Sequence, residues 1–239
     1  MQALEHDPTL ALMLQETESV LRTARDLDDQ GLSAPSLLSG WSRGHLLTHL
    51  ARNADGFANL ARTAVTGVEQ PMYSSRQERE AQIEQGAGRS LAEQLADLEQ
   101  SAAALHAVLV QVPAAAIEQR VATGMGAQYR VGDLPWMRLR ELAYHHVDLG
   151  SGVTFADLPD EVLRLGLAEC AGRATLESAG ITARCQLSDA EDLVVHIGDG
   201  TATVSGTAAQ VLAGLTGRSD GTGVVTDDGR PLPDVPAWG

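Results

Sequence analysis

Glu141 and His145 stand four residues apart in the stretch LPWMRLRELAYHHVDL, residues 134–149. If that stretch is a helix, both side chains leave one face with Cβ atoms about 5–6 Å apart, close enough to grip one ion. Two ligands make half a site. The third is expected from His49, in the earlier segment HLLTHLARNAD. Three nitrogen or oxygen ligands with a fourth position left open is the pattern of a catalytic zinc rather than a structural one.

The elements that must carry these residues are largely helical. Apolar residues recur at helical spacing from about Thr9 to Leu27, after a proline suited to a first turn. Residues 28–41, with two glycines and a proline, read as a loop. Ser42 can cap a second helix that runs to about Val65 and stops at Gly67. On it His49 lies beside the apolar stripe with Asn53, whereas His45 falls further toward solvent. The polar segment 69–88 reads as a long surface connection or irregular helix that could cover a pocket. Ser90 and Glu93 form a capping box for a third helix ending before Pro113, and the Gly-rich run 122–133 reads as a loop.

On the helix of residues 134–149, Trp136, Leu139, Ala143 and Val147 make an apolar stripe. Glu141, His145 and Asp148 fall on nearly the opposite face. Periodicity alone therefore favours a solvated acid and histidine, and a metal site requires that this face turn toward a polar cavity between helices. His146 points to the apolar side and is expected to be buried and hydrogen-bonded. His6, His45, His106 and His196 are expected to be ordinary.

Beyond Gly152 the pattern changes. A helix opens near Asp157 and Pro159 and ends near Gly180; strands follow at 181–187, 193–197 and 201–205, with Asp199-Gly200 as a hairpin turn between the last two. A short helix spans Thr207 to Thr216, residues 223–227 could return as a strand, and a Pro-rich tail closes the chain. The expected architecture is a helical domain, 1–152, followed by a smaller α/β domain, 153–239.

Composition narrows the partners. A formal charge of −15, from 17 Lys and Arg against 32 Asp and Glu, repels nucleic acid and anionic lipid. No run approaches the roughly 18 apolar residues of a membrane span, and no signal pattern opens the sequence, so a cytoplasmic protein is expected. Cys170 and Cys185 have neither the number nor the spacing of a disulfide framework or thiolate site, and are expected as reduced thiols.

Three segments, GWSRGHLLTHLARNAD, RELAYHHVDLG and GTAAQVLAGLTGR, resemble in order and approximate spacing the signatures of the mycothiol-dependent maleylpyruvate isomerase family, related to the DinB-like four-helix metalloproteins. No one of these motifs is diagnostic; their weight comes from joint occurrence. The resemblance implies an up-down four-helix bundle (DinB-like) with a smaller C-terminal α/β domain. It also implies that His49, Glu141 and His145 bind a divalent metal, zinc by preference, at one mouth of the bundle. Asp148 is then either an orienting partner of a ligand imidazole or a surface acid at the helix end. Arg52 and Asn53, in the same signature as His49, are the cofactor-binding candidates, although Arg52 points away from the buried stripe as a surface cation would. Arg218 ends the third signature. Its planar guanidinium suits a carboxylate, which makes it the catalytic candidate beside its ordinary use near a helix C-terminus.

The implied activity is a step of aromatic compound catabolism through gentisate. Zinc would take mycothiol as thiolate, the thiolate would add to the cis double bond of maleylpyruvate, and rotation and expulsion would give fumarylpyruvate with no thiol consumed. The expected partners are a small-molecule substrate and a low-molecular-weight thiol, with no nucleic acid or membrane, and the chain is taken as a monomer. A zinc-dependent thiol S-transferase or thiol-conjugate hydrolase would use the same triad with another electrophile. A non-enzymatic metal-sensing module fits least, for want of cysteine ligands and a basic reading segment.

Overall fold

In the computed structural model, residues 4, 7–123, 126–173, 176, 180–189 and 191–232 are described. His6, Ala174 and the Pro-rich tail 233–239 lie outside them. The chain divides into two compact units, Met1–Ser151 and Gly152–Gly239.

The first unit is built on four long helices. Helix α1 (Pro8–Arg25) starts where the Asp7 carboxylate accepts the Thr9 amide at 2.7 Å. A short α2 (Asp29–Ser33) follows in the segment expected as a loop, because Asp28 caps it by accepting from the Gly31 amide. Helix α3 (Arg43–Thr66) is capped by Ser42 and stopped by Gly67, whose φ of +73° is left-handed. The polar segment resolves into a regular helix α4 (Arg76–Ala87), and α5 (Leu91–Leu109) begins at the Ser90/Glu93 capping box. Strand β1 (Arg120–Ala122) pairs antiparallel with β2 (Gln128–Arg130), which lies within the run expected as a loop. Helix α6 (Leu134–Asp148) completes the unit.

Side-chain contacts give the directions. Arg43, at the start of α3, donates to the carbonyls of Leu149 and Gly150 just past α6, so these two helices run antiparallel. A cation on the exposed carbonyls of a helix end also favours the α6 dipole. Helix α4 runs back along α3: Gly86 meets Thr48, and a Cβ on Gly44 would sit 2.3 Å from the Ala87 carbonyl oxygen. Gln94 of α5 donates to the carbonyls of Gly44 and Gly86 and accepts from Thr48, locking three helices at one level. In the resulting ring α1 adjoins α6 and α5, and α3 adjoins α5 and α6.

Helix α6 is enclosed rather than half-exposed. Every residue of it except Trp136 is buried, including Arg138, Glu141, His145, His146 and Asp148. The polar face that periodicity assigned to solvent is therefore turned inward. Toward α1, His146 Nδ1 meets Glu16 at 2.6 Å and its Nε2 meets Thr23 at 2.8 Å. The opposite side faces α3.

In the second unit, α7 (Asp160–Ala171) ends at Gly172, earlier than expected. Strands β3 (Ile181–Gln186), β4 (Asp192–Ile197), β5 (Ala202–Thr207) and β6 (Val225–Thr226) form one sheet in the order β4-β3-β5-β6. Asp199-Gly200 does not join neighbouring strands. β4 pairs antiparallel with one edge of β3, whereas β5 pairs parallel with the other, with Ile181 opposite both Ile197 and Ala202. The turn crosses the end of β3, using left-handed Gly198 and Gly200, the same backbone freedom a hairpin turn would need. Helix α8 (Ala208–Leu215) packs on β3 and β5, and α7 on β4 and α8. Among the described residues no helix is long and apolar enough to cross a membrane.

Candidate metal centre

Helices α3 and α6 bring His49, Glu141 and His145 together, with one ligand atom from each within 4.8 Å of the others. His49 Nε2 lies 3.1 Å from Glu141 Oε2, and His145 Nε2 lies 3.8 Å from the same oxygen. Ligands bound to one zinc at about 2.0–2.2 Å stand roughly 3.3 Å apart at tetrahedral angles. The two separations from Glu141 Oε2 bracket that value. All three residues are buried, at 4–6% exposure, so they do not form the solvated acidic cluster that is common without a metal.

Each of the three side chains is held from behind. Asp148 is buried, and its Oδ2 lies 2.8 Å from His145 Nδ1, leaving Nε2 on the side of Glu141. Asn53 donates from Nδ2 to Glu141 Oε2 at 3.0 Å, while its Oδ1 accepts from Arg138 at 2.7 Å. Arg138 also donates to the Leu50 carbonyl at 2.8 Å, so the guanidinium fixes which way the Asn53 amide points. His49 is flanked by the Trp41 ring, 5.4 Å between centroids, and its Nδ1 lies 2.9 Å from Arg79 Nη2.

The electrostatics suit ligation. Burial is the largest influence on His49 and lowers its pKa to about 4, against the opposing pull of Glu141, so the ring is neutral at pH 7. Burial pushes Glu141 up, yet the His49 hydrogen bond and the nearby His49, His145 and Arg140 hold it below the usual carboxylate range. Burial also lowers Arg138, to about 10. A neutral imidazole and an ionised carboxylate are the forms that bind a divalent ion.

The other candidates are distributed differently. Arg52 pairs with Asp97 and Asp55 on the outer side of α3, as a surface cation would, yet it also borders a cleft between α3 and α4. Asn53 has both ends of its amide engaged, by Glu141 and Arg138. Arg218 follows α8 in the second unit, where its amide donates to the Ala213 carbonyl and its guanidinium to that of Thr216. Cys170 and Cys185 are free thiols, which burial pushes up to about 12 and 11. Sequence reasoning missed Arg79, beside His49, and Arg138, which holds Asn53. Arg138 precedes Glu141 by three residues, a helical-neighbour spacing that was available as a signal.

The family model described as the mycothiol maleylpyruvate isomerase N-terminal domain matches residues 13–150. Among solved structures, crystal structures of the mycothiol-dependent maleylpyruvate isomerase and of its histidine-to-alanine mutant are each 30% identical to this chain, with a TM-score of 0.82. Each match covers 96% of this chain and 95% of the other. A search of curated proteins found no match.

Proposed function

Since the chain belongs to the mycothiol maleylpyruvate isomerase family, we propose that it is a mycothiol-dependent isomerase converting maleylpyruvate to fumarylpyruvate. The observation that carries this reading is the buried convergence of His49, Glu141 and His145 within the matched segment. We assign these three as ligands of a divalent metal, zinc by its donor set of two imidazoles and one carboxylate. When bound, such a metal with one open position supplies the Lewis acidity that keeps a thiol anionic at neutral pH, and mycothiol is the thiol that the family uses.

The chain's own residues then have distinct tasks. Asp148 orients His145 and raises its basicity as a ligand; Arg138 and Asn53 hold Glu141 in place. Residues 1–152 would be the metal-binding domain and 153–239 the appended α/β domain. Arg218 is assigned the substrate carboxylate, which its fork of donors can hold in two parallel bonds. Arg52 is assigned to the thiol cofactor, with Asn53 acting through Glu141. The protein's own cysteines are unsuited to replace an external thiol, because burial keeps both protonated at neutral pH. The proposed setting is the cytoplasm.

The test is an ultraviolet assay of maleylpyruvate with purified protein, with and without mycothiol, before and after chelation. Turnover should require both the thiol and the metal. Isomerisation undiminished without thiol, or thiol consumption with alkyl halides and none of maleylpyruvate's isomerisation, would replace this reading with another chemistry on the same triad.

A further inference from the structure

Helices α3 and α4 touch at one end and part at the other. Where Gly44 faces the Ala87 carbonyl and Gly86 faces Thr48, a Cβ on either glycine would collide. Toward the start of α4 the two helices enclose an open cleft of about 230 Å³. Its walls are polar, because α4 buries only Ile83 and Gly86 and has little apolar surface to offer α3. The volume suits a ligand smaller than the drug-sized molecules whose pockets run from about 300 Å³ upward.

The charges of the lining cancel: Arg52 and Arg79 are matched by Asp55 and Glu78. Arg52 is held by Asp97 and Asp55, and the Arg79 guanidinium carbon lies 5.5 Å from the centroid of the Tyr73 ring. Gln82 donates from Nε2 to Glu78 at 3.0 Å, which leaves its amide oxygen to accept. A ligand with net charge meets an opposing charge and a like charge together there, and gains little from the field. A neutral molecule with several hydroxyls does better. Each hydroxyl donates to a carboxylate or amide oxygen and accepts from a guanidinium, so one ring can use both walls at once, through the stronger, charge-assisted kind of hydrogen bond. The Tyr73 ring adds apolar surface for the C–H groups of such a ligand.

We propose that this cleft is a binding site for a neutral polyhydroxylated ring, a sugar or a cyclitol. Such a ring arrives either as a free molecule or as the polar end of a larger ligand. The cleft adjoins the triad, since Arg79 is part of its wall and also lies 2.9 Å from His49. The second source makes the cleft the subsite for the sugar and cyclitol portion of the thiol cofactor. That use rests on the isomerase reading; the site itself rests on its own lining.

The experiment is a backbone-amide NMR titration of the zinc-equilibrated full-length chain with myo-inositol, with methyl glucoside and, as the charged control, with sulfate. In wild type both polyols should give saturable shifts at residues 52–59 and 72–82, and sulfate none. Asp55→Asn combined with Glu78→Gln removes both carboxylates with little change of shape. Polyol affinity should then fall roughly tenfold or more, the worth of one charge-assisted hydrogen bond, and sulfate should begin to bind because two guanidinium groups are left unbalanced. Gln82→Leu, at an exposed position of α4, should weaken polyol binding as well and serves if the double variant loses its fold. Wild type without saturable polyol shifts, variants with undiminished polyol affinity, or a wild-type cleft that prefers sulfate overturns the proposal. Steady-state kinetics separate the two sources. A raised KM for mycothiol in the double variant, with KM for maleylpyruvate unchanged, assigns the cleft to the cofactor; both constants unchanged assign it to a free polyol. Failure of the isomerase reading shows instead in wild type, as the absence of thiol-dependent turnover, and leaves the polyol titration as it was.

Discussion

Asp148 Oδ2 lies 2.8 Å from His145 Nδ1, both residues buried, in the last turn of the helix that carries two of the three candidate ligands. The carboxylate fixes the ring with Nε2 free to ligate and makes that nitrogen a stronger donor. Asp148→Asn keeps the shape and removes the charge. Zinc affinity should fall by about 10-fold or more, with helix content unchanged by circular dichroism. An unaltered affinity would make Asp148 a packing residue only.

The buried His49 gives the metal-free protein a definite pH dependence. Its pKa is about 4 when folded and about 6.5 when exposed. Between these values the unfolded chain takes up a proton that the folded chain refuses, so falling pH favours unfolding. This contribution is fully present above pH 6.5 and is lost as pH falls toward 4. Glu141, also depressed in the fold, acts in the same direction at lower pH. The unfolding free energy of the chelated protein, from urea titration, should drop by a few kcal/mol in total across pH 6.5 to 4.5, with the midpoint falling accordingly, and His49→Gln should flatten the upper part of that slope. A wild-type midpoint constant over this range would contradict the burial of a neutral His49.

Arg138 donates to both Asn53 Oδ1 and the Leu50 carbonyl from a fully buried position. Arg138→Met fills much of the volume and leaves two acceptors without their donor. The expected loss is about 2–4 kcal/mol of unfolding free energy, with weaker metal binding because the Asn53 amide is free to rotate away from Glu141. Chemical denaturation gives the first quantity and zinc titration the second.

The close approach of α3 and α4 depends on glycine. A Cβ on Gly44 would lie 2.3 Å from the Ala87 carbonyl oxygen, and backbone cannot swing aside as a side chain can. Gly44→Ala should cost about 1–3 kcal/mol and loosen α4, with faster hydrogen exchange over residues 76–87. Stability at the wild-type level would mean that α4 is not docked at this distance.

Much of this arrangement was legible in the sequence, and the failures have physical causes. Ser42, Gly67 and the Ser90/Glu93 pair marked helix ends because capping is local chemistry. The Glu141/His145 spacing picked out half of the candidate cluster for the same reason. Periodicity alone placed the face they occupy toward solvent because an amphipathic stripe presumes one neighbour, whereas α6 is enclosed by α1 and α3, where its polar side chains meet Glu16, Thr23, His49 and Asn53. Arg79 could not be singled out: α4 buries only Ile83 and Gly86, so its sequence carries almost no periodic signal, and a residue's partner across 30 positions is not a local property. The crossing at Asp199-Gly200 was read as a hairpin because both demand glycine's left-handed backbone.

The account rests on His49, Glu141 and His145 holding one ion together. The direct measurement is the zinc stoichiometry of purified wild type and of His49→Ala, Glu141→Ala and His145→Ala, by elemental analysis after equilibration with buffered zinc. The account predicts one zinc per wild-type chain and a fractional amount or none in each folded variant. One zinc per chain in all four proteins would contradict it.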